Sequence, residues 1–123
     1  MSVMPTDLCS EPLFDAEQIK LLREAMGPED LREMFAELPQ HAGQAQDAIG
    51  AALAVDDLDQ ARRAAHVLKG FAGSLGAGRL AAIARMIELD APSLIAARQY
   101  LPALAAAIEA TTVRLGEFKT DAV

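Results

Sequence analysis

The residues best suited to chemistry lie between Leu58 and Leu75, in the stretch LDQARRAAHVLKGFAGSL, and they centre on His66. Imidazole is the side chain whose ordinary titration falls near neutral pH, so a ring nitrogen is available there as a nucleophile or a proton acceptor. When the stretch is wound as a helix at roughly 100° per residue, Arg62, Arg63, Lys69, Gly70 and Gly73 fall within about 60° of His66. Ala61, Ala64, Leu68, Phe71, Ala72 and Leu75 occupy the opposite arc and form the core-facing stripe. The histidine therefore stands on a basic face opened by glycines. Cations at one turn's distance neutralise an anion placed on the ring. A neutral imidazole nitrogen attacks phosphorus and later departs as a good leaving group, so the chemistry that fits is a covalent phosphoryl relay.

The two glycines strengthen that reading. In the interior of a helix they cost together roughly 2 kcal/mol relative to alanine. Close helix packing is one explanation and clearance for an incoming partner is the other; their position beside His66 favours clearance. The three cations have a plainer alternative as a solvated face. His41 also falls on an expected helix, but Gly43 is its only notable neighbour, and it is assigned no function. No metal site is expected, since His66 has no second histidine one turn away. A glycine-rich phosphate loop of the Walker type is absent, which argues against a kinase with its own ATP site.

The rest of the chain must position this helix. It has 123 residues, 52% of them hydrophobic and only 4% aromatic. That is enough apolar material for one domain with a core, and the dominance of Ala and Leu favours helices over strands. The expected fold is all-α, an antiparallel up-down four-helix bundle with a short additional N-terminal helix. Residues 1–13, with Pro5 and Pro12, read as a flexible arm, residues 14–119 as the bundle and 120–123 as a frayed tail. Asp15 with Gln18, and Asp57 with Gln60, have the spacing of capping boxes for the first and third helices. Pro39 is expected to kink a long second helix over 28–55. Gly76 is expected to end the histidine helix as a left-handed residue. A helix over 79–89 follows, and a last one opens at Ser93 and bends at Pro102.

The net charge of −7 disfavours nucleic acid, whose phosphates need a basic field. No apolar run is long enough to span a bilayer, so no membrane insertion is expected. The single cysteine, Cys9, cannot form an internal disulfide, and the expected location is cytoplasmic.

The run His66-Val67-Leu68-Lys69-Gly70-Phe71-Ala72-Gly73-Ser74-Leu75-Gly76-Ala77, with Leu80 after it, resembles the H-x-L-K-G-x-x-x-x-L-G-A signature of histidine-containing phosphotransfer (HPt) domains. The resemblance extends over about residues 15–118 in helix lengths and hydrophobic pattern. It implies that His66 accepts a phosphoryl group from a receiver-domain aspartyl-phosphate, or from a histidine or hybrid kinase, and passes it to a response-regulator aspartate. It further implies that Lys69 steadies the phosphoryl group and that Gly70 lets the receiver approach; Arg62, Arg63 and Gly73, by their helical spacing, are expected on the same docking face. The receiver brings the Mg²⁺, so the chain needs no cofactor of its own and is expected to act as a monomer. Glu88 stands where many relay members carry glutamine. A carboxylate there either accepts from Nδ1–H of His66, as in chemotaxis-type kinase phosphoacceptor domains, or is a surface acid. The rival to phosphotransfer is a helical-bundle adaptor that docks receivers or kinases through the same face without being phosphorylated.

Overall fold

The computed structural model describes residues 11–120, and their side chains as far as 117. Every regular element in this range is helical: α1 Ala16–Met26, α2 Pro28–Ala54, α3 Leu58–Ser74, α4 Gly78–Arg85, a π-helical turn Met86–Asp90, α5 Leu94–Gln99 and α6 Leu101–Thr120. α2 packs on α3, α3 on α4, α4 on α6, and α6 back on α2, which closes a four-helix ring. The expected 1–13 arm lies mostly, and the 120–123 tail almost wholly, outside the described residues.

Each side of the ring is built from a stripe of small and branched apolar residues. Leu38, Ile49 and Leu53 of α2, Leu68 of α3, Leu80 and Ile83 of α4 and Leu104 of α6 are almost completely buried together. Ala61, Ala65 and Ala72 of α3 are buried among them, which lets neighbouring helices approach closely. Ala65 was not on the expected stripe. It is covered because α3 is contacted from both flanks, by α2 and by α4 with its π-helical turn. Ala64 and Phe71, expected inside, are only half-buried.

α2 is helical on both sides of Pro39, where Phe35, Leu38 and Ala42 are all buried and packing offsets the missing N–H. Three local expectations change. The last helix divides at Tyr100 into α5 and α6, and Pro102 falls in the first turn of α6, where no backbone donor is needed. The helix after the hairpin widens into a π-helical turn instead of continuing as α to Leu89. The capping boxes are half-formed: Asp15 accepts from the Glu17 and Gln18 amides and Asp57 from the Gln60 amide. The two glutamine side chains go elsewhere, Gln60 to Arg63 and Gln18 to the Gly73 carbonyl at 2.6 Å.

The turn between α3 and α4 sets the height of the histidine helix. Gly76 has φ +73°, and the Asp15 amide donates to its carbonyl at 2.8 Å, which ties α1 to the hairpin. A Cβ at Gly76 would approach Ile19 Cγ1 to 3.3 Å in a backbone region that L side chains rarely adopt. Gly76→Ala is therefore expected to lower stability by about 1–2 kcal/mol in urea unfolding, with α1 the first element to lose protection in hydrogen exchange.

Candidate functional site

α3 carries His66 and Lys69 on adjacent turns, and the π-helical turn carries Glu88 against both. The helix is directed by the Asp57 cap at its start and by the burial of Leu68 between the two polar residues. His66 Nδ1 lies 2.7 Å from Glu88 Oε2, and Lys69 Nζ lies 2.7 Å from Glu88 Oε1. One carboxylate thus bridges the imidazole and the ammonium. The Glu88 side chain is 16% exposed, whereas that of His66 is 65% exposed, so the carboxylate is the inner member and the ring stands out from the surface.

The hydrogen bond to Lys69 is the largest influence holding Glu88 below the usual carboxylate range; partial burial opposes it, and the bond to His66 adds to it. Glu88 is consequently an anion near neutral pH. Its contribution to stability is complete above the ordinary carboxylate range and is lost only as the pH falls through the lowered value. An ionised carboxylate only accepts hydrogen bonds, so Nδ1 of His66 is the donor and carries the proton. The Nε2 lone pair is then left on the exposed edge of the ring.

The other expected site residues separate into two groups. Arg63 and Gly70 are exposed on the His66 face. A Cβ at Gly70 would meet nothing within 4 Å, so no packing among the described residues requires glycine there. Gly43, Gly50 and Gly116 are equally open, and proximity to His66 is what distinguishes Gly70. Gly73, by contrast, is half-buried at the α3–α4 contact, with a Cβ position 4.0 Å from the Ala81 methyl and its carbonyl bonded to Gln18. Arg62 is directed toward the end of the π-helical turn, where its Nη2 donates to the Ala91 carbonyl at 2.7 Å.

Two features of the face were not read from spacing. Val67, next to His66, is 67% exposed and adds an apolar element to the rim. An apolar residue lying off the core stripe was the available signal. His41 packs against Phe71 with ring centroids 4.2 Å apart and the rings tilted by 50°, a contact between α2 and α3 that helical spacing cannot show.

Comparison with known proteins bears on this geometry. The Hpt domain profile matches residues 29–113, more than half of the chain. The chain belongs to the Hpt domain family. Among solved structures, histidine-containing phosphotransfer protein B (HptB) from Pseudomonas aeruginosa PAO1 is similar, with 26% identity and a TM-score of 0.59. The match covers 87% of this chain and 88% of that one. No match was found among the curated proteins. The function of this Hpt domain is phosphotransfer in a two-component phosphorelay, the role of a carrier between signalling proteins. Hpt domains exchange phosphoryl groups with receiver domains and kinases. Among the described residues, no helix of this one is long and apolar enough to cross a membrane, and no cluster of acidic, histidine or cysteine side chains has the makings of a metal site.

Proposed function

We propose that His66 is the phosphoryl carrier and that Nε2 is the atom that bears the group. The observation that carries this reading is the Nδ1 bond to Glu88, which leaves an unprotonated nitrogen on the exposed edge of the ring. Nε2 attacks the phosphorus of a receiver aspartyl-phosphate. The N–P bond forms as the P–O bond to the aspartate breaks, and the aspartate leaves as a carboxylate. No proton has to leave Nε2 in this step. The ring gains positive charge while the proton stays on Nδ1, donated to the Glu88 carboxylate, which stabilises that charge. Transfer to a response-regulator aspartate is the reverse of the same step. The Mg²⁺ and the acidic pocket belong to the receiver, and the ATP belongs to a kinase elsewhere in the relay.

Lys69 supplies a countercharge to the phosphoryl group from a position in which its resting partner is Glu88. Arg63, Val67 and Gly70 form the receiver-facing rim. Gly73 and Arg62 support that rim from beneath, through the α3–α4 contact and the Ala91 carbonyl respectively. The carrier is a cytoplasmic monomer whose unit of function is the bundle over residues 14–119.

The test mixes the protein with a receiver domain carrying labelled aspartyl-phosphate. Acid-labile, alkali-stable label on this chain is the expected result. Its absence with every receiver and kinase of the source organism would leave the non-phosphorylated adaptor as the better account. A second expectation concerns the rim. Gly70→Gln improves helix propensity and its Cβ would meet none of the described residues within 4 Å, so the fold is expected to be retained. Transfer from a receiver is expected to fall by about tenfold or more, the equivalent of a 1.4 kcal/mol clash at the docking face. Phosphorylation by a small donor such as phosphoramidate should be unaffected. Unchanged receiver kinetics would remove Gly70 from the interface.

A further inference from the structure

We propose that Arg62 is a positioning residue that holds the π-helical turn in the register that keeps Glu88 on His66. This rests on the reading of His66 as the carrier, and it gives Arg62 a task inside the protein in place of one on the docking surface.

The argument begins with an irregularity. α4 is regular from Gly78 to Arg85 and then widens into a π-helical turn over Met86–Asp90 that includes Glu88. Such turns are rare and occur mostly as single turns inside α-helices, often at functional sites. In this one Ile87 remains buried, so the wider turn keeps its apolar anchor while Glu88 lies over α3. The chain leaves the turn at Ala91, which is extended (φ −90°, ψ 108°) and 1% exposed. A buried carbonyl at the end of a helix needs a donor from outside the helix. Arg62 Nη2 is that donor, at 2.7 Å.

The two contacts form a pair of rungs between the same two elements. Arg62 and His66 occupy successive turns of α3, and Ala91 and Glu88 occupy the end and the middle of the π-helical turn. The bonds Arg62–Ala91 and His66–Glu88 therefore fix both the height and the rotation of one element against the other. A single rung would leave rotation free. The guanidinium holds its place at some cost, since Arg62 Nε is buried with no hydrogen-bond partner. A solvated docking arginine would not carry that desolvation penalty.

The test uses Arg62→Met, which keeps an apolar stem and removes the donor, with Arg62→Gln as a second variant that is too short to reproduce the contact. Arg62→Lys keeps a cationic donor and is expected to restore function. The first readout is the tautomer of the His66 ring by ¹⁵N NMR at neutral pH. The wild-type protein is expected to show Nδ1–H, and the folded Met and Gln variants a shift toward the Nε2–H form that free imidazole side chains favour. The second is phosphorylation by phosphoramidate, which involves no receiver and excludes docking effects. It is expected to slow about three- to tenfold, below the loss typical of removing a group bonded directly to a reactive histidine. In a Glu88→Ala background the Arg62 substitutions should add nothing.

A wild-type tautomer in folded Arg62→Met overturns the proposal. So does an Arg62 effect of undiminished size without Glu88, which would indicate action at another place. Because the tautomer is read without any phosphoryl transfer, failure of the carrier reading would not be confused with failure of this one.

Discussion

A His66→Gln protein is expected to take up no acid-labile phosphoryl label from any receiver or small donor, while unfolding at the wild-type temperature. The loss is complete because an amide has no nucleophilic lone pair to replace Nε2. The fold is spared because the ring is largely exposed, and substitutions at such positions typically change stability by less than about 0.5 kcal/mol. Glutamine can also donate to Glu88, and Lys69 remains on the other carboxylate oxygen. His41 is not a substitute. It packs against Phe71, and Glu88 is held by His66 and Lys69. Label that survives the substitution would place the carrier elsewhere and remove the basis of the proposed mechanism.

Leu68→Ala is expected to have the largest effect on stability among single substitutions near the site. Leu68 lies between His66 and Lys69 in sequence and is 1% exposed, pointing from α3 into the middle of the ring. Truncating a buried leucine removes its transfer free energy and leaves a cavity, at a cost of about 3–5 kcal/mol. A domain of this size has about 5–15 kcal/mol in total, so about a fifth or more of its stability is at stake. Equilibrium urea unfolding should show a lower midpoint with a similar slope. Phosphorylation by a small donor, measured where the variant is still folded, should decline much less than stability does, because the His66–Glu88–Lys69 bridge lies on the other side of the helix. A loss of labelling that parallels His66→Gln under those conditions would mean that the core, and not only the bridge, sets the geometry of the ring.

Much of the site was legible because it is local. His66, Lys69 and Gly70 share a face of one helix by spacing alone, and the stripe of Ala61, Leu68, Ala72 and Leu75 identifies the side that is buried. Gly76 was legible for a similar reason, since a left-handed residue after an apolar helix has few alternatives to glycine. Gln18 misled because its pattern fits a capping box, whereas a distant partner, the Gly73 carbonyl, is available only after the hairpin has folded.

By itself the sequence determined that the chain is helical, that α3 presents a histidine opposite the core, and that the face around it suits phosphoryl chemistry. These follow from a period of 3.6 residues and from side-chain types. The tertiary structure alone decided what Glu88, Arg62 and Gly73 touch. Glu88 reaches His66 from an irregular π-helical turn on another element, Arg62 donates to the Ala91 carbonyl, and Gly73 faces α4. Such contacts depend on the rotation of one helix against its neighbour, which is set by the packing of the whole ring and is not encoded in the period of either helix.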